Sequence, residues 1–105
     1  MDNNNPFFLT ILYAEPGKKP EMKDIFNTMD EMDHLVHGKI DSIGVDDGIC
    51  VIYNALAETL KMEENCTIYG QKFFGPIIIV EFNEAGNLVS IDQKNFEYYA
   101  ELIER

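Results

Sequence analysis

Basic side chains are scarce in this chain: eight Lys and Arg stand against nineteen Asp and Glu, a formal net charge of −11 over 105 residues. A surface so poor in cations repels phosphate, which excludes direct nucleic-acid binding and argues against anionic membranes. No apolar run reaches the roughly 20 residues that cross a bilayer. The opening Met1-Asp2-Asn3-Asn4-Asn5 lacks the basic start of a secretory leader, so a cytoplasmic protein is expected. Two cysteines, Cys50 and Cys66, fit no zinc or redox spacing and are expected as reduced thiols.

Catalytic materials are equally thin. Ser42 and Ser90 are the only serines, and no base is placed beside either. The only histidines, His34 and His37, share a short helical segment with Asp30, Glu31 and Asp33. A transition-metal site needs three or four convergent ligands, and a di-iron site needs its Glu-x-x-His motif twice. The simpler account places the acids at the start of that helix and the histidines at its end, each complementing the helix dipole. Gly17-Lys18-Lys19 lacks the P-loop spacing, and Pro20 forbids the helix that must follow. The expectation is no catalytic residue, no metal, no cofactor and no enzymatic activity.

The apolar content is ample. A hydrophobic fraction of 46%, with seven Phe and five Tyr, can fill the core of one domain. Residues 1–5 read as a flexible polar tail and 6–105 as a single folded unit. Phe7 to Ala14 is β-branched and aromatic, which predicts a central strand. Glu15-Pro16-Gly17-Lys18 suits a type II turn, and the alternation over Glu21 to Phe26 suits an edge strand. Thr28-Met29-Asp30-Glu31 has the form of a capping box, and Gly38 is placed to end the helix, about 28–37, in a left-handed conformation.

Asp46-Asp47-Gly48 signals a hairpin between two strands, and Pro76 to Phe82 a buried strand. Residues 54–64 fit either a helical turn or an ordered loop. Asp92 caps a last helix, 93–104, whose core face is Phe96, Tyr99, Ala100 and Ile103. Together these predict an α+β domain, a mainly antiparallel sheet with two helices.

Several of these features occur together in one known pattern. Glu15-Pro16-Gly17-Lys18-Lys19-Pro20, Val36-His37-Gly38-Lys39-Ile40, Asp47-Gly48, Tyr53-Asn54 and Gly70-Gln71-Lys72-Phe73-Phe74-Gly75 appear in that order. With them, roughly residues 9–102 resemble a domain-of-unknown-function family of phages and conjugative elements of gut bacteria. The resemblance implies no catalytic residues. It implies a setting in which mobile elements oppose bacterial defence, where small acidic proteins, anti-CRISPR proteins among them, often inhibit nucleases.

Average charge cannot imitate a nucleic acid. A 12.0 kDa globule exposes about 6,000 Å², or roughly one net charge per 500–600 Å². Clustering is required, and the sequence offers it. Glu97, Glu101 and Glu104 recur along one side of the last helix; Asp41, Asp46 and Asp47 crowd one hairpin; Glu63-Glu64 is a third group. These eight are the candidate contacts to the basic groove of a host nucleic-acid-binding protein, which the chain would inhibit by competing with nucleic acid. The alternative is a small regulatory or ligand-binding module with a site shaped by the sheet, Tyr69, Phe73 and Phe74, its acids serving solubility alone.

Overall fold

A computed structural model describes residues 7–104; the expected tail, 1–5, lies outside the described residues. The chain forms β1 (Phe8–Ala14), β2 (Glu21–Phe26), α1 (Met29–Leu35), β3 (Ile40–Asp46) and β4 (Ile49–Asn54). It continues with β5 (Glu64–Ile68), β6 (Gln71–Phe74), β7 (Ile77–Phe82), β8 (Leu88–Val89) and α2 (Gln93–Glu104). This is the α+β architecture expected, with every strand pair antiparallel.

The main sheet runs β2-β1-β7-β4-β3, and β5-β6 forms a separate hairpin. Residues 77–80 of β7 are fully buried, as a strand covered on both faces must be. β1 leaves β7 after three register pairs, Leu12↔Ile79 to Ala14↔Ile77. The segment around β8 fills the widening gap. Ile91 N–H donates to Thr10 O at 2.9 Å, and Thr10 N–H donates to Ser90 Oγ at 2.8 Å.

Side chains alternate between two cores, as the period of a strand requires. On one face α1 lays Met32 and Leu35 against Leu9, Ile11, Ile52 and Ile78. On the other, α2 and the β5-β6 hairpin cover Leu12, Val51, Ile77 and Ile79 with Tyr99, Ile68 and Phe73. Sequence reasoning anticipates two helices on a sheet; it does not separate them onto opposite faces. Asn65 fastens the hairpin to the sheet, its Nδ2 donating to Ala14 O and Gly75 O.

The turns follow their residues. Lys18 N–H donates to Glu15 O across Pro16-Gly17, with Gly17 at φ 75°. Half of the capping box forms: Glu31 N–H donates to Thr28 Oγ1, while Thr28 N–H goes to Phe26 O. α1 is shorter than its expected 28–37 span. His37, at φ 63°, takes the left-handed place assigned to Gly38, and Gly38 N–H closes the end on Asp33 O. Residues 55–62 resolve into one irregular helical turn, Leu60 N–H donating to Leu56 O before Lys61 reverses at φ 56°.

Candidate functional site

Three elements meet where α2 crosses the second face. Asp92 starts the helix, its Oδ1 accepting from Asn95 N–H at 2.8 Å. Glu81 of β7 fixes that start from below, its Oε2 accepting from Asp92 N–H and Asn95 Nδ2. From this anchored end Tyr99 points inward and is buried, while Tyr98 turns outward and is half exposed. The Tyr99 hydroxyl donates to Asp46 Oδ2 at 3.4 Å, which joins α2 to the β3-β4 hairpin. Burial, then the Tyr69 hydroxyl, and with them Asp46, push the Tyr99 phenol well above its ordinary range.

The third element is the β5-β6 turn. Ile68 pairs with Gln71, so Tyr69-Gly70 is a two-residue loop. Both residues have positive φ, 49° and 83°, the type I′ geometry. The first place of such a loop favours Asn, Asp or Gly; a bulky ring there is strained. Tyr69 accepts that strain and sets its ring edge-on to Tyr99 at 6.3 Å, with its hydroxyl donating to Tyr98 Oη at 2.9 Å. Tyr98 and Tyr99 are themselves edge-on at 4.9 Å. The result is a partly exposed tyrosine surface bordered by Asp46 and by the outer side of α2.

The eight predicted acids are all exposed. Glu97, Glu101 and Glu104 rise about 10 Å along α2, away from the buried Tyr99. Glu97 accepts from Gln93 Nε2. Glu104 shares a shallow concavity of about 350 Å³ with Lys18 and Lys19 of the β1-β2 turn. Glu63 stands beside the same turn, its Oε2 4.0 Å from where a Cβ on Gly17 would lie. α2 thus carries its glutamates from the tyrosine surface towards that turn.

The remaining acids have local partners. Glu64 Oε1 is 3.8 Å from Lys72 Nζ, and among the described residues no other member of the eight is ion-paired. Asp41 Oδ1 accepts from Ser42 N–H, and Asp46 Oδ1 accepts from Asp47 N–H. Asp41 also lies against Tyr53, whose phenol is pushed up by burial and then by that carboxylate.

Sequence reasoning missed Tyr98. The signal was present in the Tyr98-Tyr99 doublet, since adjacent helical residues differ by about 100° and cannot share one face. Two residues of the alternative site share a cavity. Phe73, buried against Tyr53 with ring centroids 5.6 Å apart, and Phe74 both line a cavity of about 260 Å³ with Glu58, Thr59 and Lys72. Tyr69 lies elsewhere, on the tyrosine surface. Both thiols are buried and pushed up to about 11 by that burial, far from the thiolate a nucleophile needs. Among the described residues no three His, Cys, Asp or Glu side chains are grouped to hold a metal, and no helix is long and apolar enough to cross a membrane.

No curated protein and no solved structure matches the chain in comparisons with known proteins. Residues 9–104 match the family described as Domain of unknown function (DUF3846), nearly the span over which the sequence motifs recur, and the chain belongs to that family.

Proposed function

We propose that this chain is a non-enzymatic, mobile-element accessory protein that binds and inhibits a host defence nuclease in the bacterial cytoplasm, in the manner of an anti-CRISPR protein. Its contact face is the outer side of α2 with the tyrosine surface and the β3-β4 hairpin. The occupant of that face is a cationic groove built for nucleic acid. Glu97, Glu101, Glu104, Asp46 and Asp47 stand in for phosphates, and Tyr69 and Tyr98 offer ring faces on which arginine stacks.

One observation carries this reading. Glu101 and Glu104 occupy the carboxyl-terminal end of α2, with no basic residue in its last described turn. A carboxylate there opposes the helix dipole by about 0.3–1 kcal/mol, and like charges a turn apart cost a few tenths more. Stability alone favours lysine at these places. A surface selected to meet cations accepts the cost, and long-range attraction then speeds encounter. The cavity beside Phe74 is smaller than the roughly 300 Å³ at which ordinary ligand pockets begin, which gives the ligand-binding reading less support.

The test is inhibition of purified RNA-guided nucleases by the purified protein over a range of salt. DNA cleavage should fall with added protein at low salt and recover as salt rises. The triple variant Glu97→Lys, Glu101→Lys, Glu104→Lys should bind at least about tenfold more weakly, chiefly through slower association. Unchanged cleavage across the panel, together with no salt-dependent complex, would remove the proposal.

A further inference from the structure

The two edges of the main sheet are finished differently. At the β3 edge, Ala55 N–H donates to Lys39 O, so the pairs at 39, 41 and 43 bond to β4 and the groups of residues 40, 42 and 44 turn outward. Two of those outward N–H groups are already taken. Ile40 N–H donates to Asp33 Oδ1 at 3.1 Å, and Ser42 N–H donates to Asp41 Oδ1 at 2.8 Å. A bulge between Gly44 and Asp46 disrupts the rest. Carboxylates and a bulge are standard means of keeping a foreign strand off an edge.

At the β2 edge the register is unbroken, and among the described residues no carboxylate takes an outward N–H. Asn27 N–H donates to Phe7 O, which turns the backbone groups of residues 22, 24 and 26 outward. Thr28 N–H takes the Phe26 carbonyl; among the described residues nothing takes the N–H of Met22, Asp24 or Phe26. The flanking side chains are apolar and exposed: Met22 at 40%, Phe26 at 56% and, stacked on it at 5.1 Å, Phe8 at 47%. Asp24 lies between Met22 and Phe26 on the same face, held by Thr10 Oγ1 at 2.7 Å.

We propose that β2 accepts, by strand addition, an extended basic segment of another protein. The ladder would be completed on the N–H groups of Met22, Asp24 and Phe26, with apolar residues of the segment beside Met22 and Phe26 and a Lys or Arg opposite Asp24. Charge selects this occupant. Asp24 is the one charged residue on the Met22–Phe26 face of β2 and calls for a cation opposite it, while a net −11 on each copy opposes pairing with a second copy. The edge lies across the sheet from β3, so the proposal stands independently of the nuclease reading.

The experiment follows backbone amides by NMR while the synthetic peptide Thr-Val-Thr-Lys-Thr-Val-Thr, whose alternate residues set valine beside Met22 and Phe26 and lysine opposite Asp24, is added to the full chain; the same peptide with glutamate in place of lysine is the control. Slowed exchange at Met22, Asp24 and Phe26 with the lysine peptide alone supports the proposal. Met22→Pro removes one outward donor and leaves the bonds to β1 intact, so it should weaken binding by about fivefold, the equivalent of one hydrogen bond. Asp24→Lys, which retains the backbone, should exchange the preference of the two peptides. Protection at β3 instead, equal response to both peptides, or no response overturns it. So does a dimer in sedimentation equilibrium without peptide that Met22→Pro abolishes, since a second copy would then own the edge.

Discussion

Gly38 and Asn54 pack so closely that a Cβ on Gly38 would lie 2.7 Å from the Asn54 amide nitrogen. Asn54 is the one buried polar side chain among the described residues. Its Nδ2 donates to Val36 O at 3.0 Å and His37 O at 3.1 Å, and its Oδ1 accepts from Leu56 N–H at 2.8 Å. One amide therefore ties off the end of α1, the end of β4 and the turn that follows. We predict that Gly38→Ala destabilises the fold by about 1–3 kcal/mol, since it meets both this close approach and an unfavourable φ of 157°. Asn54→Ala should cost a similar amount by stranding the buried Val36 carbonyl and the part-buried His37 carbonyl. Urea denaturation midpoints at constant slope measure both; a shift within error for either variant contradicts the assignment.

Tyr13 gives the fold a signature in alkali. Its hydroxyl donates to Leu35 O at 2.8 Å in the first core. Burial, with the charges of Glu15 and Glu21, pushes the phenol from its ordinary 10.0 up to about 12. The folded state then holds a proton that the unfolded state releases. The contribution is complete below pH 10 and is lost as pH rises towards 12. The two thiols, raised from 9.0 to about 11 by burial, act in the same direction over the window just below. Denaturation free energy should fall through pH 9–12, and Tyr13→Phe should flatten the upper part of the decline. An identical slope in the variant would mean that Tyr13 titrates as if unfolded.

Asp92 and Glu81 together set the start of α2. Asp92→Ala should lower stability by about 1 kcal/mol through loss of the cap. Glu81→Gln replaces the carboxylate whose one oxygen, Oε2, accepts from both Asp92 N–H and Asn95 Nδ2; it should cost less than loss of the cap, since an amide oxygen has two lone pairs and can accept both bonds, though without the charge. Because Tyr98 and Tyr99 ride on this helix, Asp92→Ala should also quicken amide exchange across residues 95–99, which hydrogen-exchange mass spectrometry reads directly. Exchange confined to the last turn of α2 would count against the anchor.

Much of the fold was legible because local chemistry and tertiary packing agree. The period over Phe96, Tyr99, Ala100 and Ile103, the Asp92 cap and the Asp47-Gly48 hairpin each describe what forms. What the sequence leaves implicit is spatial. His37 rather than Gly38 turns left-handed because Gly38 is needed where Asn54 passes. The eight acids could be counted but not placed; that Asp46 meets α2 depends on which face the helix takes, and that Glu64 meets Lys72 depends on the bulged register of the β5-β6 hairpin. The tyrosine surface joins residues 46, 69, 98 and 99 across three elements, a coincidence no window of sequence displays.

Tyr69 separates folding from binding in one residue. Its φ of 49° in a two-residue loop stores strain that Asn or Gly would relieve. Set against that, its ring touches Tyr99 and its hydroxyl donates to Tyr98 Oη. Both partners remain supported by α2 when the ring is removed, so the ring and its hydroxyl contribute about 1 kcal/mol, close to the strain that relaxes on their removal. Tyr69→Asn should therefore leave the denaturation midpoint within about 0.5 kcal/mol of the parent. Its affinity for the cationic partner should nonetheless fall by at least about tenfold, as loss of an exposed aromatic anchor does. A variant that is clearly less stable would make the tyrosine a structural residue. One that keeps both stability and affinity would leave the strained ring without a purpose and move the contact face away from the β5-β6 turn.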